Sequence, residues 1–222
     1  MPVSVVIPTL NEEEWIVRTI ESAFAAGASE VIVADGGSGD RTLVLAETTG
    51  ARLVPAARGR GQQLNRGAAA AAHEFLIFLH ADTLLPAGAI AAVESALASN
   101  ASFGGFRVRF FEGGWRLRYV AFMINMRTRL TRAPWGDQAQ FARRDAFVAS
   151  GGYPDVPIME DYEFALRMKR ATSPALLPLE VTTSGRRFLA RGVIRTSILN
   201  WIVIGAWHLG VSPDRLAAWY RR

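Results

Sequence analysis

Apolar runs that end abruptly in polar residues recur along the first hundred positions of the chain. Four of them, at 3–7, 30–34, 52–54 and 75–79, have the length and composition of strands, and stretches with apolar residues at helical spacing lie between them. Asn11, followed by three glutamates, predicts the first helix N-terminus. This alternation of strand and helix predicts a parallel sheet with helices on both faces.

The run at 75–79 carries the strongest signal for a site. Five apolar residues without a polar interruption predict a strand buried on both faces, and His80 and Asp82 follow it directly. Ligands of open α/β sheets bind beyond the carboxyl ends of the strands, where Asp82 could hold a hard divalent cation. Alternatively, Asp82 caps a helix that starts near Pro86, and the residues by themselves favour neither interpretation.

Two acidic residues open a later predicted helix, after a Gly-Gly-Tyr-Pro loop at 151–154. Asp161 shares a helical face with Phe164 and Met168 and should point inward, whereas Glu160 lies on a more polar face. An inward carboxylate is costly unless it has a role, so Asp161 is either a structural cap or a general base that faces a crevice.

Beyond residue 100 the pattern changes. Residues 102–111 alternate as in a strand, and 115–132 form a basic helix with six large apolar residues on one face. We favour packing of that face on the sheet, and the alternative is contact with a membrane or lipid acceptor. Residues 198–211 are too short to span a bilayer and predict a buried or in-plane helix. The six residues of the apolar face are Trp115, Tyr119, Phe122, Met123, Met126 and Leu130.

Composition narrows the function classes. The chain has 222 residues, 25 basic against 20 acidic, and Lys169 is its only lysine, so arginine-rich surfaces suit anionic substrates or lipids. No nucleic-acid-binding motif is found, and we expect no nucleic-acid partner. No cysteine is available for disulfides or thiolate chemistry. Residues 1–10 resemble a first strand more than a signal peptide, which predicts a cytoplasmic protein, with the inner membrane face as a further option.

Five stretches, in this order, resemble the family 2 inverting glycosyltransferases of the GT-A fold: VSVVIPTLNEEE, VIVADGGSGDRT, FLHADTLLP, GGYPDVPIMEDYEF and SGRRF. They are most similar to the short bacterial subgroup labelled transferase 2, rSAM/selenodomain-associated. The resemblance implies an α/β GT-A nucleotide-diphospho-sugar transferase fold, a mostly parallel sheet flanked by helices, in one domain over 1–222. Residues 1–100 would then bind the nucleotide sugar, 101–190 would hold the acceptor and catalytic groups, and 191–222 would form C-terminal helices.

The same resemblance implies a nucleotide-diphosphate sugar donor, commonly uridine-linked, a hydroxyl acceptor that could be lipid-like, and Mn²⁺ or Mg²⁺ as cofactor. His80 stands where relatives have the first acid of the D-x-D motif, whose second acid is Asp82. The candidate site residues are Thr9, Asp35, Arg60 and His80 for the nucleotide, Asp82 for the metal, Asp161 as catalytic base, and Arg186, Arg187, Glu160 and Asp137 for phosphate and acceptor.

Two other classes stay open at the level of sequence. A sugar nucleotidyltransferase would use a related sheet, but residues 1–15 lack the glycine-rich, lysine-containing loop that such enzymes resemble. A non-catalytic sugar-nucleotide binder is suggested only by His80. The G-x-G-x-x-G and Walker A patterns are both missing, which disfavours nicotinamide enzymes and phosphate-loop ATPases.

Overall fold

A computed structural model describes residues 1–221 and contains one eight-stranded sheet in the order β3-β2-β1-β4-β7-β6-β8-β5. The pairs β1/β2, β2/β3, β1/β4 and β6/β8 are parallel, and the remaining three are antiparallel, so the predicted mostly parallel sheet is confirmed. The strands are β1 (Val3–Thr9), β2 (Glu30–Asp35), β3 (Arg52–Pro55), β4 (Phe75–Phe78), β5 (Thr83–Leu84), β6 (Phe103–Phe110), β7 (Phe141–Arg143) and β8 (Ala175–Thr183).

Helices cover both faces of this sheet. They are α1 (Ile16–Ala25), α2 (Thr42–Glu47), α3 (Arg60–Ala70), α4 (Ala89–Ala98), α5 (Trp115–Thr131), α6 (Arg144–Ala149), α7 (Glu160–Ala171), α8 (Arg186–Arg191), α9 (Val193–His208) and α10 (Pro213–Arg221), with a 3-10 turn at Gly136–Gln138.

The central strand β4 is buried on both sides, as its uninterrupted apolar run predicts. Phe75 and Ile77 belong to the core layer beneath α1 and α4, whereas Leu76 and Phe78 belong to the layer beneath α3 and α7. This alternation follows from the two-residue period of a strand. The carboxyl end of β4 is thereby fixed between two packed layers, and the residues that follow it have a rigid support.

Close packing sets the position of α3. A Cβ atom at Gly67 would overlap the side chain of Val6 on β1, so the helix can lie this close to the strand only because residue 67 is glycine. The N-terminal turn of α3, with Arg60 and Gln63, therefore lies next to the carboxyl end of β1.

The predicted helix cap at Asn11 is wrong. Helix α1 begins at Ile16, and Asn11 has a left-handed backbone conformation with φ of 56°. The Asn11 side chain accepts a hydrogen bond from the Gly39 backbone N–H at 2.8 Å, and the Glu12 N–H donates to Thr42 Oγ1 at 2.8 Å. Asparagine tolerates left-handed turns, so the segment forms a loop that is hydrogen-bonded to the residues after β2.

The predicted packing of the α5 apolar face on the sheet is also wrong. Trp115 and Leu130 are 69 % and 75 % exposed, and the buried side of α5 contains the smaller residues Leu117 and Val120. The cause is Asn125, whose side-chain amide bonds both the N–H and the C=O of Val108 at 2.9 and 3.0 Å. Strand β7 pairs with β6 only at Phe103 and Gly104, near the start of β6. Asn125 therefore supplies the partner that the backbone of Val108 lacks, and this contact sets the rotation of α5.

Helix α9 is not fully buried either, so the buried option for residues 198–211 is wrong. Ile194, Ile198, Trp201 and Ile202 are exposed, while Val203 packs inward. None of the helices in residues 1–221 has both the length and the hydropathy that crossing a bilayer requires.

Candidate active site

A cavity of about 1320 Å³ opens at the carboxyl ends of β1 and β4. Its walls come from both halves of the chain: the ends of the parallel strands, the start of α3, the 3-10 turn, the start of α7, and α5, α8 and α9. Nine of the ten residues predicted for the site line this cavity: Thr9, Arg60, His80, Asp82, Asp137, Glu160, Asp161, Arg186 and Arg187.

The tenth residue, Asp35, ends β2 directly opposite Thr9 in the strand register. Its carboxylate accepts hydrogen bonds from the backbone N–H groups of Gly37 and Ser38 at 2.8 and 2.9 Å, and from the Ser38 hydroxyl. Asp35 therefore holds the glycine-rich loop at the rim of the site, beside the cavity wall that Thr9 forms.

Asp82 lies in a cluster of charged groups. The Arg186 guanidinium is 3.2 Å from Asp82 Oδ2 and 2.6 Å from Glu12 Oε1. Burial by itself would lower the pKa of Arg186, but its hydrogen bond to Glu12 and the charge of Asp82 raise it. The alternative role of Asp82 as a helix cap is wrong, because α4 begins at Ala89 and is preceded by Gly88. The carboxylate is held at the strand end, as the metal hypothesis requires.

His80 lines the cavity in surroundings that oppose its protonation. Burial lowers its pKa well below the ordinary value, and the charges of Arg60 and Arg187 lower it further. Its ring lies close to Gly136, where an added Cβ atom would be 2.6 Å from His80 Nε2 and 2.9 Å from Asp161 Oδ2. A glycine at position 136 therefore allows the imidazole and the carboxylate to approach the same turn.

Asp161 is the second residue of α7, and backbone amides fix its orientation. The Gly136 N–H donates to Oδ2 at 2.6 Å, and the Tyr162 N–H donates to Oδ1 at 2.7 Å. These two bonds hold the carboxylate in place, and each oxygen keeps a further lone pair. The side chain is half-buried and lines the cavity, so it can accept a proton from a bound molecule.

The predicted polar position of Glu160 is wrong, because the residue is buried. Its Oε1 accepts a hydrogen bond from Arg60 Nη1 at 2.9 Å, across from the start of α3. Burial raises the pKa of Glu160, and the Glu160 carboxylate in turn raises the pKa of Arg60. Helical periodicity cannot detect this burial, since the partner that neutralises the carboxylate comes from another helix 100 residues away.

Asp137 lies beside Arg127, a half-buried arginine that the sequence did not single out. The Arg127 guanidinium carbon is 3.7 Å from the centre of the Trp135 ring, and its Nη2 donates to Gln138 at 3.2 Å. Asp137 Oδ1 is buried and finds no hydrogen-bond partner within residues 1–221. Burial raises the pKa of Asp137 to about 6, although the charge of Arg127 opposes the shift. Asp137 is thus an unsatisfied acceptor in the wall of the cavity.

Three further residues shape the site without having been predicted. Glu12 pairs with Arg186, Gln63 donates from Nε2 to the backbone oxygens of Thr9 and Ala34, and Gly136 donates to Asp161. Gln63 follows Arg60 by three residues, so helical spacing could have placed both on one face. For the other two, the partner is distant in sequence and no local pattern marks it.

The family model of glycosyl transferase family 2 matches residues 4–152, which include the strands and loops that carry Thr9, Asp35, His80 and Asp82. The chain belongs to this family of glycosyltransferases. The predicted family is therefore confirmed, while the assignment to the rSAM-associated subgroup stays a prediction.

Curated relatives include glucosyl-3-phosphoglycerate synthase of Mycolicibacterium smegmatis, which is 36 % identical over 96 residues. That match covers 38 % of this chain and 32 % of the relative. The enzyme of the same name from Mycobacterium tuberculosis strain H37Rv is 34 % identical over 96 residues, covering 38 % and 30 %. The matched part is thus about a third of the length of these relatives.

Solved structures agree with the fold. The glucosyl-3-phosphoglycerate synthase of Mycobacterium tuberculosis in complex with Mn²⁺, UDP and glucosyl-3-phosphoglycerate has a TM-score of 0.63 and 22 % identity, covering 90 % of this chain and 78 % of that one. TarS of S. aureus in complex with UDP-GlcNAc has a TM-score of 0.65 and 18 % identity, covering 83 % and 58 %. The predicted GT-A fold is confirmed.

Proposed function

We propose that this protein transfers a sugar from a nucleotide-diphosphate donor, most simply a UDP-sugar, to a hydroxyl acceptor with inversion at the anomeric carbon. The proposal rests on two groups of side chains that line the cavity. One wall holds Asp161, a carboxylate fixed by two backbone amides, and the same cavity holds Asp82 in contact with Arg186. A base and a charge cluster for a diphosphate are the two groups that such a reaction needs.

Asp161 is the general base of the proposed reaction. It takes the proton of the acceptor hydroxyl while the acceptor oxygen forms a bond to the anomeric carbon. The bond from that carbon to the diphosphate oxygen breaks at the same time, and UDP leaves with the electron pair. Attack on the face opposite the leaving group inverts the configuration, and the amides of Gly136 and Tyr162 keep the carboxylate aligned.

The leaving diphosphate requires positive charge, and Arg186 and Arg187 provide it from the start of α8. Within residues 1–221 no cluster of three or more His, Cys, Asp or Glu side chains forms a complete metal cage. The Asp82 and Glu12 carboxylates nevertheless offer the oxygen ligands that Mn²⁺ and Mg²⁺ prefer, which fits a cation whose other ligands are diphosphate oxygens and water. Such a cation at Asp82 would stabilise the charge of the departing UDP.

The nucleotide is assigned to the ends of β1 and β2 and the start of α3. Thr9 and Asp35 would bind the uracil edge, and Arg60 and His80 would contact the ribose and phosphates. A neutral His80 can donate one hydrogen bond and accept another, as a ribose hydroxyl requires. The UDP and UDP-GlcNAc complexes of the two structural relatives support a uridine-linked donor.

Asp137 is the second candidate for the base. Its unpartnered Oδ1 and its pKa of about 6 would suit proton transfer. Asp161 is preferred because two amides align it, whereas the position of Asp137 next to Arg127 fits better with binding of an acceptor hydroxyl. Glu160 forms an ion pair with Arg60 and has a structural role in the site.

Calorimetry with UDP, UDP-glucose and UDP-GlcNAc, each with and without Mn²⁺, tests the donor. We expect binding that Mn²⁺ strengthens, and formation of free UDP when an acceptor-containing lipid or glycan extract is added. Pyrophosphate exchange without glycoside would indicate a nucleotidyltransferase, and binding without UDP release in any extract would indicate a non-catalytic binder.

A further inference from the structure

Helix α5 presents a row of large apolar side chains to solvent. Trp115, Tyr119 and Phe122 recur at helical spacing and are 69 %, 58 % and 55 % exposed. Isolated exposed apolar residues are common, but three aromatic rings in one row are costly in water.

Helix α9 presents a second row of the same kind. Ile194, Ile198 and Trp201 lie on one face at the same spacing, each more than half exposed, and Ile202 extends the row sideways. This row does not contribute to the packing of α9, because Val203 and the half-buried residues on the opposite side of the helix contact α7 and α10. We call the two exposed rows together the α5–α9 face.

The cavity joins these two rows. Tyr119 of α5 and Trp201 of α9 both line the cavity while remaining more than half exposed, so the rows border its mouth. The two helices also contribute apolar side chains to the cavity lining: Val120, Met123 and Ile124 from α5 and Val203 and Ile204 from α9. The charged groups of the proposed reaction are in the same cavity, so its lining combines a polar part with an apolar one.

The charge of the face has one sign. Residues 115–131 and 186–208 contain no Asp or Glu, and each of the two segments contains four arginines. Arg127, Arg186 and Arg187 of these segments line the cavity, and the exposed arginines outside it are Arg116, Arg118, Arg129, Arg191 and Arg195. A face with aromatic residues and arginine but without carboxylates matches the headgroup region of an anionic bilayer, where aromatic rings lie at the interface and guanidinium groups bind phosphate.

We propose that the α5–α9 face binds an anionic lipid bilayer and that the cavity mouth opens onto it, so that the acceptor is a membrane lipid with its hydroxyl end in the cavity. The acceptor part of this proposal rests on the proposed glycosyl transfer, and the binding part does not. A second copy of the chain is a poorer occupant. In a two-fold dimer through this face, arginines would meet arginines with no carboxylate between them.

Sedimentation with vesicles tests the binding part. Wild-type protein should pellet with phosphatidylglycerol-phosphatidylcholine vesicles at low salt, less at high salt, and weakly with pure phosphatidylcholine. Phe122→Ser and Ile198→Ser should each weaken binding, and Arg116→Gln with Arg118→Gln should reduce it at least tenfold, since each interfacial arginine contributes about fivefold. Phe24→Ser, on the partly exposed face of α1, is the matched control and should bind like the wild type.

Three outcomes decide between the alternatives. Failure of the wild type to bind anionic vesicles at low salt, with UDP binding intact, would overturn the membrane proposal and leave the glycosyl transfer standing. A dimer in sedimentation equilibrium that Phe122→Ser dissociates, without vesicle binding, would assign the face to a second copy and also overturn it. Vesicle binding that survives in a protein without UDP affinity would support the face and contradict the proposed function.

Discussion

Arg60 and Glu160 form an ion pair of 2.9 Å between the first turns of α3 and α7, although they are 100 residues apart in the sequence. The Glu160 side chain is 4 % exposed, whereas that of Arg60 is 42 % exposed. Water can therefore solvate the charge of Arg60 without Glu160, but the buried charge of Glu160 needs Arg60 as its partner. Because Asp161 is the next residue of α7, the pair also fixes the proposed base relative to the nucleotide end of the cavity.

Removing the arginine should therefore destabilise the fold. Arg60→Leu leaves Glu160 buried without its counter-charge, and we expect a loss of about 3 kcal/mol in the free energy of unfolding at pH 7.5. Burial would then raise the pKa of Glu160 in the folded state, so the loss should be smaller at pH 5, where the carboxyl group can be protonated. Urea unfolding of Arg60→Leu and of the double variant with Glu160→Leu measures this. A change below about 0.5 kcal/mol in the single variant would show that the pair is not important for stability.

Asp82 should be required for metal-dependent donor binding and not for folding. The residue follows β4 and does not belong to its packed run, so Asp82→Ala should keep its melting temperature. Calorimetry should show UDP binding that Mn²⁺ strengthens in the wild type and not in the variant. His80→Asp, which restores the acid of related enzymes, is the companion variant and should retain donor binding. Equal strengthening by Mn²⁺ in Asp82→Ala would remove Asp82 from the metal site.

Asp137 should make stability depend on pH. Its folded-state pKa of about 6 lies above the ordinary value of 3.8, so the folded protein binds the proton more tightly than the unfolded chain. The resulting stabilisation is present at pH 4 and is lost as the pH rises through 6. In thermal melts at pH 5 and pH 7.5, Asp137→Asn should lose less stability between the two values than the wild type does. Identical losses in both proteins would show that Asp137 is not protonated near pH 6.

Gly136 should be needed for turnover because its missing side chain leaves room for two others. A Cβ atom there would lie 2.6 Å from His80 Nε2 and 2.9 Å from Asp161 Oδ2, so Gly136→Ala should displace one or both groups. We expect a loss of about tenfold or more in kcat with a folded protein, since small displacements of a base are costly. Gly113→Ala, where an added Cβ has open space around it, is the control. Normal kcat in Gly136→Ala would mean that the turn adjusts freely.

The strands and the glycosyltransferase motifs could be predicted from the sequence because their signals are local. The uninterrupted run of β4 indicates burial on both faces, and the residue after a parallel strand has a defined place at the edge of the sheet. Asp82 and Asp161 were therefore placed in the cavity correctly. Their assignment to metal binding and catalysis stays a prediction.

The errors share one physical cause, which is that periodicity within one element does not reveal its partners. Glu160 is buried because Arg60 neutralises it from another helix, and α5 is rotated because Asn125 bonds the backbone of Val108. Asn11 accepts a bond from the loop after β2 instead of capping α1. In each case a polar contact between distant segments overrides the local hydrophobic pattern.

The most direct test of the account is the turnover of Asp161→Asn compared with its affinity for UDP. The variant keeps the size of the side chain but cannot take a proton, so kcat for UDP release from a UDP-sugar, with the acceptor extract that supports wild-type turnover, should fall about 10² to 10⁴-fold. The dissociation constant for UDP with Mn²⁺ should stay within about threefold of the wild type, because the base contacts the acceptor and not the diphosphate. Glu160→Gln and Asp137→Asn, measured alongside, should lose less. Near-normal turnover in Asp161→Asn, or a loss explained entirely by weaker UDP binding, would contradict the assignment and make Asp137 the base to examine.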